Sequence, residues 1–409
     1  MYMCIDLKSF YASVECALRH LDPFKTPLVV CDIERSKGTI CLAATPYLKS
    51  LGVSSRARAY ELPKDIPIIY AKPRMSKYIE ASAKVYTCYL HFFSSEDIFM
   101  YSIDEGFINL EPYKNYYQMS YFDLAKKIKE YVYEETKLTV TVGIGENMFQ
   151  AKVALDILSK HSKSEIGEVN YENFSKLIGT VEPLDKIWCI GPRIKLRLNK
   201  LGLFNLNDIK DIDKNILLKE FGIIGLEIYD HAHGMDPATI SDVKNITIKD
   251  KKSLSEGQVL FKDYTKDMAS QIIFEMAHEL TIKLAEGHYK TNLITLFIGY
   301  SNYSNYFHKG IRLPLLTNSY RIISKALSDL FLKAEEGFIR SISISANNLV
   351  KDYKQVSLYD DTSVKEEDLL ESIVSIRNKY GKNSILRTVS LLENSNQIER
   401  NTFIGGHHA

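Results

Sequence analysis

Apolar and polar positions alternate over short runs at the start of the chain and then recur at helical spacing. Met3 and Ile5 alternate up to Asp6, after which Phe10, Val14 and Leu18 return every fourth residue, so Met1 to about Arg19 reads as strand, tight turn and helix. Two short strands follow, Pro27–Asp32 and Gly38–Ala44, and then a short helix over 46–52 that ends at its glycine. Tyr70–Phe93 has a long helical pattern, Phe99–Ile108 reads as a strand and Leu124–Thr136 as a helix. The β-rich Leu138–Ile144 runs into a helix over Phe149–Ser159. Around Ile187–Phe204 a Gly-Pro turn precedes a basic helix and a second glycine. This is the pattern of a helix-hairpin-helix unit that holds a DNA phosphate on backbone amides, and equally of two packed helices. The polar Lys244–Leu254 reads as a linker. Beyond it, strands at Gln258–Phe261, Asn292–Tyr300, Ser304–Leu313 and Ile339–Ala346 alternate with helical patterns at Lys266–Glu286 and Ser319–Glu335. That order predicts a small α+β domain with one helical face and one exposed sheet.

Two acidic strings stand out against this pattern, CIDLKSFYASVE near the start and YSIDEGF at 101–107. Each puts a carboxylate at the end of a predicted strand, so Asp6, Asp104 and Glu105 could meet on adjacent strands of one sheet. Convergent carboxylates repel unless cations lie between them, and paired divalent cations serve phosphoryl or nucleotidyl transfer. A chain of 409 residues exceeds one core, so two to four domains are expected. Composition, at 45% hydrophobic and 25% charged, is that of an ordinary globular protein, and a net charge of +1 gives no global sign of nucleic-acid binding. From Lys244 to Val350 there are 14 Lys and Arg against 10 Asp and Glu, a local excess of +4. The six cysteines form no CxxC pair, which argues against a zinc site or a disulfide framework. Nowhere do 18 apolar residues run together, and no leader-like stretch opens the chain, so the expectation is a cytoplasmic protein that does not span a membrane.

In this order the motifs DLKSFYASVE, SIDEGF, TVTVGIGENMFQAKVALDILSK, the IGP turn and the tail ILRTVSLL with IGGH resemble the Y-family translesion DNA polymerases. The resemblance is to the UmuC-like superfamily and its UvrX-like branch, over essentially the whole chain. It implies an α+β multidomain right hand: palm at 1–18 and 77–170, small fingers at 19–76, a helix-hairpin-helix-like thumb at 171–243, an α+β little finger at 244–350 and a tail at 351–409. It also implies template-directed DNA synthesis across damaged bases by two-metal nucleotidyl transfer, with low fidelity, low processivity and no proofreading.

By the same resemblance, Asp6, Asp104, Glu105 and the carbonyl of Leu7 would hold two Mg2+ ions, and Lys152 would support the carboxylates. Tyr11 would be the steric gate beneath the incoming sugar, and the amides of Ser9, Phe10 and Tyr11 would face the triphosphate. Lys49 and Lys160 would contact the triphosphate, although Pro46, Ala43 and Ser159 replace side chains that many relatives use there. A one-residue offset turns a helical side chain by about 100°, which sets Lys160 against Ser159. Ile40 and Leu42 align with small residues over the templating base, and their bulk predicts a narrower pocket. Gly191, Arg193, Lys251, Lys252 and Arg340 would contact primer-template DNA. QVSLY, with Gln355, Leu358 and Tyr359, resembles a sliding-clamp-binding pentapeptide. Leu369, Leu370, Ile373 and Ile376 make one apolar helical face, suited either to the protein's own surface or to a recombinase filament. Two other functions use similar residues: a nucleotidyl cyclase, and a catalytically silent DNA or clamp adaptor with the same fold.

Overall fold

The structure is a computed structural model describing residues 1–34, 38–245, 252–302, 305–351 and 361–408, and the chain forms two compact units, Met1–Thr247 and Ile248–Ala409. In the first unit β1 (Tyr2–Leu7) leads into α1 (Phe10–Leu18), and β2 (Leu28–Val30), β3 (Ala43–Ala44), α2 (Pro46–Ser50) and β4 (Ile69–Ala71) follow. Then come α3 (Met75–Leu90), β5 (Ile98–Met100), β6 (Glu105–Asn109), α4 (Tyr121–Thr136), β7 (Val140–Gly145), α5 (Met148–Val153) and β8 (Ile166–Glu168). Six helices close the unit: α6 (Tyr171–Leu177), α7 (Pro192–Lys200), α8 (Leu206–Lys210), α9 (Lys214–Phe221), α10 (Ile223–Ala232) and α11 (Ile240–Asn245).

The main sheet has the order β5-β6-β1-β7-β8, antiparallel except for β7 with β8. The two-residue period of a strand sorts β1 between two cores. Met3, Ile5 and Leu7 join the large core under α1, α3 and α4, while Cys4 faces a smaller one with Phe107, Met148, Ala151 and Leu155. Asp6 shares the parity of Cys4, so it lies on the face covered by α5. That cover needs glycine. A Cβ on Gly143 would stand 2.0 Å from the Ala151 carbonyl oxygen, and one on Gly145 2.3 Å from the Ala151 nitrogen. The glycines of VGIG thus let the helix lie on the strand. Asn147 starts that helix by accepting the Gln150 amide at 2.8 Å.

A small sheet, β3-β2-β4, has its own core of Val29, Cys31, Cys41, Ala44 and Leu48, and the helices from α6 onward share another built on Phe174, Leu198, Leu206 and Leu217.

The second unit has β9 (Ser253–Tyr264), α12 (Lys266–Glu286), β10 (Tyr289–Tyr300), β11 (Tyr306–Thr317), α13 (Tyr320–Phe331), β12 (Ile339–Asn347), β13 (Val350–Lys351) and α14 (Asp361–Tyr380). Its sheet runs β11-β10-β12-β9, and Ile339, Ile342, Ile344 and Ala346 are buried beneath α12 and α13. The other parity of β12, Ser341, Ser343 and Ser345, is half-buried on the opposite face. The polypeptide after Asp361 packs back on this unit: Leu370 and Ile373 are buried, whereas Leu369 and Ile376 stay exposed. Arg377 forms a two-pronged ion pair with Glu279 of α12 at 2.8 and 3.1 Å.

Some boundaries differ from the sequence expectation. Tyr70 belongs to a strand, pairing parallel with Val29, and the helix begins only at Met75 because Pro73 lacks an amide and biases Lys72 away from helical geometry. Of 38–44, only Ala43–Ala44 is strand, with Ile40 in an isolated bridge to Arg58. Lys244 ends a helix instead of opening a linker, and its amine donates to the carbonyls of Ser95 and Glu96. The stretch 149–159 is not one α-helix: a π turn spans Ala154–Leu158 and a 3-10 turn spans Ser159–His161.

Candidate active site

The antiparallel register puts Asp6 directly opposite Glu105, and Asp104, one residue before β6, accepts the Leu7 amide through its backbone oxygen at 2.9 Å. Residues directly opposite in such a pair point to the same face. The sheet therefore gathers the three acids at one strand end.

Their side chains are held differently. Glu105 is buried and ion-paired with Lys152 of α5 at 2.9 Å, and it also accepts from the Cys4 thiol at 3.2 Å. Lys152 in turn meets Asp156 at 3.1 Å, and Asp156 meets Lys160 at 2.9 Å. Asp104 accepts from the Ser102 hydroxyl at 2.7 Å. Among the described residues no three Asp, Glu, His or Cys side chains stand close enough together to enclose an ion. An anion with a lysine in reach takes it as counter-ion, and Glu105 has done so.

Asp6 has no such partner among the ion pairs of the described residues. Burial first, and then the charges of Asp104 and Glu105, raise its carboxyl to about 7, against the pull of Lys160 and Lys152. An all-oxygen set of like charge, with one carboxyl raised by burial and by its acidic neighbours, fits a divalent ion. Lys152 stays protonated in spite of burial because Glu105 and Asp156 face it.

The turn after β1 is tight. Ser9 is left-handed, at φ 49° and ψ 44°, and caps α1, whose first amides have no carbonyl within the helix to bind. Tyr11 is half-buried, and burial, then Asp104, raises its hydroxyl pKa. Lys49 lies within electrostatic reach of Asp6, Lys160 and Lys8, and burial together with the two lysines lowers its pKa. The π turn accounts for the register near Lys160. Its extra residue buries Ser159, whose hydroxyl donates to the Leu155 carbonyl at 2.6 Å, and leaves Lys160 exposed beside Asp156. Ile40 is exposed, and Leu42 is half-buried against the main core.

Of the predicted DNA contacts, Gly191 and Arg193 belong to the first unit and Lys252 and Arg340 to the second. Gly191 caps α7 with open space around it, and Arg193 is exposed, while its neighbours are engaged: Lys195 with Asp185 at 2.7 Å and Arg197 with Glu220 at 2.8 Å. Lys252 is exposed, and Arg340 lies 3.5 Å from Asp263. Lys251 and the segment with Gln355, Leu358 and Tyr359 fall outside the described residues. Sequence reasoning missed Cys4 and Asp156. The first shares strand parity with Asp6, and Asp156 sits four residues from both Lys152 and Lys160, so period-two and period-four spacing could have found them.

Residues 5–156 match the model of the impB/mucB/samB family, and residues 251–358 match that family's C-terminal domain. The chain is 32% identical to the "Putative UV-damage repair protein UvrX" of Bacillus subtilis (strain 168), over 99% of this chain and 97% of that protein. The chain belongs to the impB/mucB/samB family. These are the Y-family, UmuC-like polymerases. A "DNA polymerase IV 2" of the same organism is 27% identical over 99% of this chain and 98% of its own length. In fold, this Y-family member resembles a solved Dbh-Dpo4-Dbh polymerase chimera, with a TM-score of 0.66 and 23% identity over 86% of this chain and 99% of the other. Family membership makes the protein a DNA-directed DNA polymerase of the translesion class, and it favours neither the cyclase nor the silent adaptor. No helix among the described residues is long and apolar enough to cross a membrane.

Proposed function

We propose that the face carrying Asp6, Asp104 and Glu105 is the centre at which this translesion polymerase extends a primer. The observation that carries the reading is the cross-strand pairing of Asp6 with Glu105, with Asp104 at the same strand end. Asp6, Asp104, Glu105 and the Leu7 carbonyl would hold two Mg2+ ions, which when bound activate a primer 3′-hydroxyl and neutralise charge on the departing pyrophosphate. Around them, the chain's own groups bind and orient. Lys49 and Lys160 receive the triphosphate, together with the free first-turn amides at Ser9, Phe10 and Tyr11. The Tyr11 ring lies beneath the deoxyribose and leaves no room for a 2′-hydroxyl. Lys152, gripped by Glu105 and Asp156 together, keeps Glu105 aimed along the face, and Ile40 and Leu42 bound the templating base.

Palm, fingers, thumb, little finger and tail take the boundaries given above. Gly191, Arg193, Lys251, Lys252 and Arg340 contact template-primer phosphates, and the hydroxyl-bearing face of Ser341, Ser343 and Ser345 suits such contacts without base readout. Gln355, Leu358 and Tyr359 bind a sliding clamp. For the recombinase filament only Leu369 and Ile376 remain available, since Leu370 and Ile373 are covered by the protein's own unit.

Primer extension on a templated oligonucleotide with Mg2+ and dNTPs, beside Asp104→Ala, tests the centre. Equal extension by both proteins would refute it. A clamp pulldown with Gln355→Ala and Leu358→Ala tests the pentapeptide, and undiminished recovery would remove it.

A further inference from the structure

Tyr11 does not stand alone. Its ring stacks on that of Tyr78, with centroids 4.4 Å apart and planes 19° from parallel, and Phe10 meets Tyr78 edge-on at 6.5 Å. Tyr78 is fully buried, and its hydroxyl donates to Glu15 Oε1 at 2.9 Å. Glu15 is itself fully buried, four residues along α1 from Tyr11. Arg74, just before α3, donates to both its oxygens, Nε to Oε1 at 3.0 Å and a terminal nitrogen to Oε2 at 2.6 Å, and Arg19 also donates to Oε2. Burial alone would raise the Glu15 carboxyl, but hydrogen bonds from Arg74, Arg19 and Tyr78 hold it below the usual carboxylate range. It stays ionised.

We infer that Glu15 is a positioning residue for sugar selection: held by the Arg74 fork, its carboxylate fixes the Tyr78 ring, and that ring sets the plane of Tyr11. The inference rests on the reading of Tyr11 as the group that meets the incoming sugar. A buried ion pair is a poor source of stability, since apolar residues of like volume pack as well. What it adds is direction. A planar guanidinium gripping a carboxylate has one geometry, and the Tyr78 hydroxyl bonded to that carboxylate cannot slide or tilt within the stack. Rejecting a 2′-hydroxyl demands that kind of placement, because a site loose by one ångström no longer distinguishes one oxygen atom. Glu15 meets neither nucleotide nor reacting atoms. Its effect passes through two rings.

The test is the ratio of kcat/KM for a correct dNTP to that for the matching rNTP, measured for the wild type, Tyr11→Ala, Tyr78→Phe and Glu15→Gln. The ratio falls about tenfold in Glu15→Gln and about threefold in Tyr78→Phe, with the larger loss in Tyr11→Ala. Tyr78→Phe removes a single oxygen and keeps the stack, so it decides the matter if Glu15→Gln fails to fold. Equal losses for both sugars, or a wild-type ratio in Tyr78→Phe while Tyr11→Ala collapses, would overturn the positioning role and leave the gate intact. An unchanged ratio in Tyr11→Ala would remove the gate reading and this inference together.

Discussion

Two sites, one in each unit, handle buried charge in opposite ways. At the strand ends of the first, Asp6 faces Glu105 across the sheet with Asp104 one residue before β6, and Asp6 is left with a carboxyl raised to about 7 by burial and by the other two. In the second, Arg377, Lys290 and Glu275, buried where the C-terminal segment docks, meet an opposite charge or hydrogen-bond donors. Arg377 pairs with Glu279, Lys290 with Glu367, and Glu275 accepts from the Ser395 hydroxyl and the Asn396 amide. On the proposed reading, conflict marks the place that two cations would take. Complementarity marks a joint closed within the chain.

The largest test of that contrast is Asp104→Ala. It should lower primer extension by about a thousandfold or more, a loss on the order of 4 kcal/mol in the barrier. The thermal midpoint should hold or rise, because a repelling charge has gone. A fall in both would mean that the acids serve the fold. Next comes Arg377→Ala, which strands Glu279 and should cost the second unit about 3–5 kcal/mol, read as a lowered urea midpoint and faster proteolysis after Asp361. A shift under about 0.5 kcal/mol, the size of an ordinary surface substitution, would make that joint ornamental.

Acidity should separate the units by sign. His278 is pushed down to about 3, by burial first and then by Arg387 and Arg377, so between about 6.5 and 3 the unfolded chain binds a proton that the folded one refuses. Stability from this group is lost as pH falls through that window, by at most about 1.4 kcal/mol per pH unit. Asp6 runs the other way. Between about 4 and 7 its folded form binds the extra proton, so its contribution is lost as pH rises. With a chelator present, His278→Gln should flatten the acid-side loss and Asp6→Asn should steepen it; slopes that move together would defeat the distinction. The smallest effect concerns Ile40→Ala with Leu42→Ala. The double change should raise extension past a bulky adduct several-fold while undamaged synthesis changes less than about twofold, each factor of ten being about 1.4 kcal/mol. No gain would end the account of a narrowed pocket.

The positions of Asp6, Asp104 and Glu105 were legible because strand periodicity and motif spacing act locally, and a register that pairs opposite residues follows once both strands are assigned. The network around them was only half legible. Spacing within a helix can show that Lys152 and Asp156 are neighbours, but not that the lysine would take Glu105, since that depends on the depth at which Gly143 and Gly145 let α5 settle. The π turn was invisible because it depends on packing over β7 and β8, not on any residue type that marks it. The stack of Tyr11 on Tyr78 joins segments 67 residues apart, and no local pattern carries such information. The strand read at Gln258–Phe261 is in fact β9, three times as long, since its exposed polar stretch earns its place by pairing with β12.

The middle position of β1 in its sheet has a consequence for synthesis. Its neighbours on the two sides, β6 and β7, begin about a hundred residues or more further along. At about 5–20 residues per second the ribosome needs several seconds to deliver them. During that interval a nascent chain carries an apolar ribbon with both hydrogen-bonding edges bare, and Asp6, the charge that later frustrates the finished sheet, sits near its end as a deterrent to premature pairing.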